Sequence, residues 1–326
     1  MERVAIIGAG VSGLTCGVCF ADAGYRTTIL AKEAGQGTTS AAAGAIWYPY
    51  DVEPLAAAIH WSLQTYETLS QLSRIPASGV SMIELRTFSR KAEIQVPDWA
   101  ISLGARLLPP SAFSVSAGPT RAAGLDGSIF LSGFTLTVPL TDTTIYLDYL
   151  KKRFLHHDGS IREGMNFDNL DEVDHEFDLV VNCSGIGAKE LVPDVTLEPH
   201  RGQVAIVSKL ALAYAIVCDG PPLMYAIPRT NDCLFGGTNE LSDNREVDAV
   251  VTDRIVAECS RVLNIDAPPV IAERVGLRPF RRSGICLRAD RLCDGRTVLH
   301  NYGHGGSGFT VSWGCAAEVL ALAKQH

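Results

Sequence analysis

The stretch "RVAIIGAGVSGLTCGVCFADAGYRTTILAKE", beginning at Arg3, restricts the fold more than any other part of this chain. An apolar run from Val4 to Ile7 leads into Gly8-Ala9-Gly10-Val11-Ser12-Gly13, then a helical period that ends at Gly24, then a second apolar run from Thr27 to Leu30. Uninterrupted apolar runs of this kind belong to strands buried on both faces, so the pattern predicts strand, glycine turn, helix and strand. In that context the G-x-G-x-x-G spacing is a dinucleotide-binding turn. Gly8 permits the tight turn, Gly10 lets a pyrophosphate approach the backbone, and Gly13 lets helix and sheet close up. Phosphates belong at the helix N-terminus, where N–H groups and the helix dipole favour an anion, which makes Ala9, Val11 and Ser12 candidate contacts too. The carboxylate that usually follows the second strand to hold a ribose is displaced, because Ala31 and Lys32 precede Glu33. Lys32 and Glu33 stand as candidate nucleotide contacts, with a solvated Glu33 as the alternative.

A chain of 326 residues is too long for one comfortable core, and two units are expected. With 47% hydrophobic and 20% charged residues it is a compact, well-buried protein. Net charge is −8 and basic residues are scattered, so neither nucleic acid nor an anionic membrane is an expected partner. A small molecule is. No apolar stretch approaches the roughly 20 residues of a membrane span, and the first strand starts too early for a signal peptide, so a cytoplasmic protein is expected. The nine cysteines sit in apolar segments such as "VVNCSG", the pattern of reduced core thiols. Cys16 and Cys19 fall inside the helical pattern without a second Cys/His pair, which favours buried helix residues over a redox or zinc motif.

After the first unit, Thr38, Thr39, Ser40, Ala43 and Gly44 in "TTSAAAGAIWYP" are small enough for backbone to run against a flat ligand, and Trp47, Tyr48, Pro49 and Tyr50 follow. Helices are expected from Pro54, after a capping Asp142, and from about Glu246 to Leu263. "FDLVVNCSG" (Phe177 to Gly185) predicts a buried strand returning to the first sheet, with Ser184 and Gly185 in the turn beyond it. Strands are also expected at Val270 to Leu277 and Thr297 to Asn301, and turn-rich short strands from Arg201 to Gly237. Near the end, "VLHNYGHGGSGFTVSWGCA" concentrates five glycines around the start of a helix expected near Ser307. His300 and His304 are four apart, but glycines interrupt them and no third ligand is evident, so structural roles are expected and no metal.

Three of these stretches together, "IIGAGVSGL", "TTSAAAGAIWYPY" and "HNYGHGGSGFTVSWGCA", resemble the D-amino-acid oxidase family of flavoproteins, and "RGQV", "YAIP", "FGGT" and "VGLRP" follow in that family's order. The resemblance implies an α/β fold: a Rossmann-like FAD-binding domain (1–50, 140–200 and 280–326) and a mixed antiparallel-sheet substrate domain (51–139 and 201–279). It implies noncovalent, elongated FAD. The implied reaction oxidises a D-amino acid to the imino acid and then the 2-oxo acid by direct hydride transfer from the α-carbon to flavin N5, with O2 reduced to H2O2. Gly303, Gly305, Gly306, Ser307, Gly308, Phe309 and Thr310 would pack against the flavin, with the Gly306 carbonyl toward the substrate amine and Thr310 on the flavin C2 oxygen. Arg278 and Tyr225 would hold the substrate carboxylate, although Arg281 and Arg282 lie close in sequence. No acid or base residue is implied.

This sequence departs from the family pattern around the substrate. The loop "CDGPPLMY" is short and has no tyrosine before Tyr225, and Asn239 stands where relatives acting on acidic D-amino acids carry arginine. A neutral or basic substrate side chain is expected, with Asn239 beside it and Met224 and Trp47 or Tyr48 lining its pocket. The alternatives are a glycine or imino-acid oxidase and a D-amino-acid dehydrogenase with another acceptor. Oligomeric state is left open, a homodimer included, and the ending "ALAKQH" is no peroxisomal address.

Overall fold

The computed structural model describes residues 2–109, 112 and 129–325, so part of the 51–139 segment lies outside the described residues. In chain order the elements are β1 (Arg3–Ala9), α1 (Val11–Asp22), β2 (Arg26–Ala34), α2 (Leu55–Leu72), β3 (Val80–Ser89), α3 (Asp98–Ser102), β4 (Arg106–Leu107) and β5 (Ser132–Thr141). Next come α4 (Thr143–His156), β6 (Ser160–Glu163), β7 (Leu179–Asn182), α5 (Ala188–Leu191), β8 (Leu197–Ser208), β9 (Tyr214–Cys218) and β10 (Met224–Pro228). The remainder are β11 (Asp232–Gly236), β12 (Glu240–Leu241), α6 (Ala249–Leu263), β13 (Val270–Arg281), β14 (Cys286–Arg291), β15 (Thr297–Tyr302) and α7 (Gly308–Ala323).

They form two sheets. The first has the order β14-β15-β7-β1-β2-β6 and is parallel except for the β14–β15 pair. Its centre obeys the two-residue period of a strand: Val4 and Ile6 pack toward α1, α4 and α7, while Ala5 and Ile7 pack with Leu170, Val173 and Phe177 on the other face. The second sheet has the order β12-β8-β11-β10-β9-β3-β5-β4, with β13 along β8, and is antiparallel apart from β3–β9.

Local chemistry sets the helix ends. α1 closes on Gly24 (φ +89°) with Gly24 N–H donating to Ala21 O and Tyr25 N–H to Phe20 O, the paired bonds of a Schellman motif. Asp142 caps α4 by accepting from Thr144 N–H at 3.1 Å. Asp248 caps α6, so that helix starts later than the expected Glu246. Cys16 and Cys19 lie within α1, and all nine cysteines are free thiols. Helix α2 packs on α7 at Gly314, where a Cβ would stand 2.3 Å from Trp61 O.

A half-buried ion pair ties the end of β13 to the end of β15. Asp194 Oδ2 accepts from Arg281 Nε at 2.7 Å and from the Tyr302 hydroxyl at 2.8 Å, and Thr196 bonds its other oxygen. Burial opposes its ionisation, but those hydrogen bonds outweigh it and hold the carboxyl far below the usual range. Asp194→Ala is therefore expected to lower stability by about 3 kcal/mol, because it strands Arg281 without its partner. With a depressed carboxyl the contribution is present above the unfolded value near pH 4 and fades as pH falls below it. Thermal melts of both proteins at neutral and acidic pH check this: the gap in midpoint should narrow in acid, and equal melts at neutral pH would contradict it.

Candidate active site

The glycine turn is built as close contact demands. Gly8 has φ +106°, and a Cβ there would stand 2.6 Å from Cys183 O. A Cβ on Gly13 would stand 1.9 Å from Gly8 O, so α1 lies directly on the end of β1. Ser40 Oγ accepts from Val11 N–H at 2.9 Å, folding the Thr38–Ser40 stretch over the start of α1, whose first turn carries no acidic side chain. The surroundings suit an anion.

The C-terminal glycine stretch forms the turn from β15 into α7. Gly303 and Gly305 both have positive φ, and a Cβ on Gly305 would meet Asp51 O at 1.8 Å. A Cβ on Gly306 would meet the Tyr50 ring at 2.6 Å, and Gly306 N–H donates to Asp51 O at 3.2 Å. Ser307 Oγ accepts from Tyr50 N–H at 2.8 Å and donates to Tyr50 O at 2.7 Å. Thr310 Oγ1 does the same one turn on, accepting from Tyr48 N–H at 3.2 Å and donating to Tyr48 O at 3.1 Å. These two rungs pin the Tyr48–Tyr50 stretch against the first turn of α7. The Thr310 hydroxyl is thereby engaged with the Tyr48 backbone, and Thr310 itself lines the cleft. His300 lies 3.3 Å from Asn182 Nδ2, and His304 Nε2 lies 2.9 Å from Asn301 Oδ1. Burial pushes both imidazoles down to about 4, so both are neutral at ordinary pH.

At the other end, Arg278 on β13 lies flat on bare backbone, since a Cβ on Gly202 would come 2.4 Å from Nη2. Its Nη1 donates to Thr238 O at 2.9 Å and reaches Asn239 Oδ1 at 3.4 Å. Among the described residues no carboxylate pairs with it. Arg281 is paired with Asp194 and Arg282 with Glu198. Tyr225 on β10 faces Gly236 of β11, and its ring lies where a Cβ on Gly236 or Gly237 would be, 2.0 and 2.6 Å from ring atoms. Burial raises its phenol, and the Arg278 guanidinium beside the hydroxyl opposes that rise.

Asn239, Met224 and Trp47 have partners that the sequence did not reveal. The Asn239 amide donates to the Tyr50 hydroxyl at 3.0 Å and its Oδ1 lies 3.4 Å from Arg278 Nη1, so it meets both side chains. Met224 does not line the cleft, because strand alternation that turns Tyr225 to the cleft sends Met224 into the core with Phe88 and Phe130. Trp47 is buried against Tyr66 and Trp99 and donates to Ser62 O, leaving Tyr48 at the cleft. The second tyrosine beside the guanidinium is Tyr50, which the sequence placed only in an aromatic run. Burial pushes its phenol up to about 12 against the pull of Arg278.

One cleft of 870 Å³ joins these features. It is lined by Gly8, Ala9, Gly10, Val11, Ser12, Lys32, Glu33, Thr38, Thr39, Ser40, Ala43, Gly44, Ser184 and Gly185 at one end, and by Tyr225, Arg278, Gly305, Gly306, Gly308, Phe309 and Thr310 toward the other. Gly13, Gly303 and Ser307 support its walls without reaching it. Met165, Asn166 and Phe167, which follow β6, and Asp219 and Leu223 line it as well and were not singled out from sequence. A cleft this long, bare of side chains at two glycine turns, with a helix N-terminus at each, fits an elongated dinucleotide such as FAD.

The family model described as FAD dependent oxidoreductase (DAO) matches residues 3–322. The chain belongs to this family of FAD-dependent oxidoreductases. It is 36% identical over 328 positions to a D-amino-acid oxidase of Streptomyces coelicolor, covering 99% of this chain and 97% of that one. A Dictyostelium discoideum D-amino-acid oxidase is 34% identical (98% and 91% covered), and a Homo sapiens D-aspartate oxidase 31% (99% and 95%). Among solved structures, glycine oxidase from Geobacillus kaustophilus superposes with a TM-score of 0.77 at 16% identity, covering 100% of this chain and 95% of that one, a likeness of fold. No helix among the described residues is long and apolar enough to cross a membrane.

Proposed function

We propose that this FAD-dependent enzyme oxidises D-amino acids. Arg278, with no carboxylate partner among the described residues, faces the FAD cleft beside the Tyr225 hydroxyl, and this observation carries the reading. A guanidinium and a phenol side by side are the donors that a planar substrate carboxylate needs. The D-amino-acid oxidases among the relatives support the choice of enantiomer.

Bound FAD supplies the two-electron acceptor. The residues proposed to hold it are the Gly8–Gly13 turn, Lys32 and Glu33, Thr38–Ser40 with Ala43 and Gly44, Ser184 and Gly185, and the first turn of α7. That helix N-terminus favours negative charge at the group it faces. Arg278 and Tyr225 fix the substrate carboxylate, the Gly306 carbonyl takes the neutral amine, and the Tyr50 ring closes over Gly306 and keeps water out. Alignment of this kind is worth several orders of magnitude in rate without an acid or base side chain. The substrate gives up two electrons and two protons, O2 takes both and becomes H2O2, and water displaces ammonia from the imino acid to leave the 2-oxo acid. We assign the division into 1–50, 140–200 and 280–326 around FAD, and 51–139 and 201–279 around the substrate, on the same ground.

Anaerobic mixing of the yellow holoenzyme with D- and L-forms of one amino acid tests this. Bleaching of the flavin band by the D-form alone, with peroxide formed once air is admitted, is the expected result. Bleaching by glycine or an imino acid but by no D-amino acid would overturn it.

A further inference from the structure

Asp219 is a charged group that the proposed reaction leaves without a task. It lies in the turn after β9 and lines the same cleft as Arg278 and Tyr225. The polar group that acts on its carboxyl is the neutral Tyr48 hydroxyl. Arg90 holds this turn through Gly220 O and Pro222 O, both at 2.9 Å, but its charge is taken by Glu258 at 3.0 Å. Among the described residues no Lys or Arg forms an ion pair with Asp219. Arg278 and Asp219 both act on the Tyr50 phenol, and Val217, two residues before Asp219, pairs with Tyr225 across β9 and β10, so Asp219 lies toward the Tyr225 end of the cleft. That end of the cleft therefore carries both a cation and an anion.

On the reading that Arg278 holds the substrate carboxylate, we infer that Asp219 is a specificity residue selecting D-amino acids whose side chain ends in a cation, the class of D-lysine and D-arginine. A ligand with its carboxylate on Arg278 and a flexible aliphatic arm beyond its α-carbon brings a terminal ammonium or guanidinium toward the free carboxyl. FAD and substrate filling the cleft displace water beside Asp219, and an anion without a counter-charge is disfavoured there unless the substrate supplies one. The Tyr48 hydroxyl favours the ionised carboxyl, and the Tyr48 backbone is fixed by Thr310. Leu223 beside it offers apolar cover for the methylenes of the arm. An acidic side chain would meet like charge. Asp219 is an exposed residue, and partial desolvation by the cleft walls pushes its carboxyl up to about 6, which still leaves it ionised at pH 8.

The test uses the holoenzyme at pH 8 and compares D-lysine with D-norleucine, which has the same carbon chain and no charge. The readout is the ratio of their kcat/KM values in wild type, Asp219→Asn and Asp219→Glu, with the spectrum of bound flavin reporting that each variant is folded. Wild type is expected to favour D-lysine, Asp219→Asn to lower the ratio at least about tenfold, and Asp219→Glu to keep the preference. If Asp219→Asn slows both substrates equally, the carboxyl serves the chemistry or the fold and the inference falls. An unchanged ratio, or a wild type that favours D-norleucine, overturns it as well while leaving D-amino-acid oxidation intact. If neither substrate bleaches the flavin, the proposed function falls and takes this inference with it.

Discussion

Replacing Arg278 by lysine is expected to lower kcat/KM toward a D-amino acid by about a thousandfold, a loss of roughly 4 kcal/mol, while the protein keeps its flavin. The guanidinium is held in a fixed plane: it lies on the bare backbone of Gly202, and Nη1 is anchored by Thr238 O at 2.9 Å. A lysine ammonium keeps the charge but is a point donor on a flexible stem, and it cannot meet both oxygens of a carboxylate from the Gly202 plane. The substrate then turns about one contact and its α-hydrogen loses its line to the acceptor, so both turnover and affinity suffer. Stopped-flow flavin reduction separates the two: the limiting rate and the apparent Kd should both worsen. A variant within tenfold of wild type on both would mean that the carboxylate is held elsewhere, and Arg281 and Arg282, committed to Asp194 and Glu198, are poor candidates.

What could be read from the sequence was local. The strand, turn and helix of residues 3–34 announce themselves because glycine spacing, apolar runs and a closing Gly24 act within a few residues of one another. Asp142 could be recognised as a cap for the same reason. Arg278 came from a motif, and the structure adds why it stands apart from its neighbours: they are neutralised and it is not. Most of what the sequence hid involves partners far away in the chain. Asn239 and Tyr50 meet across 189 residues, so nothing in "FGGTNE" could reveal that the asparagine bonds a tyrosine. The bond from the Thr310 hydroxyl to Tyr48 O was hidden likewise, because it depends on how residues 47–50 approach α7. Met224 was different. Once Tyr225 is assigned to the cleft, the two-residue period of a strand already sends Met224 the other way.

Gly13→Ala is expected to yield a protein that purifies without colour and binds FAD at least about a hundredfold more weakly, although alanine improves helix propensity by about 1 kcal/mol. The reason is distance. A methyl group at position 13 would lie 1.9 Å from Gly8 O, less than any non-bonded contact allows, and Gly8 is itself held at φ +106° over Cys183 O. Neither side can yield cheaply, so α1 must move off the end of β1 and carry the N–H groups of its first turn away from the phosphates. Gly17→Ala, one turn further along the same helix, supplies the comparison. Its methyl group would meet Ile29 at 3.0 Å and Phe154 at 3.2 Å, side-chain atoms that can shift by a few tenths of an ångström. That variant should stay yellow and melt close to wild type. Equal flavin affinity in the two variants would show that the approach of α1 to β1 at Gly13 does not control the phosphate site; a loss confined to Gly13→Ala assigns that control to a single backbone contact.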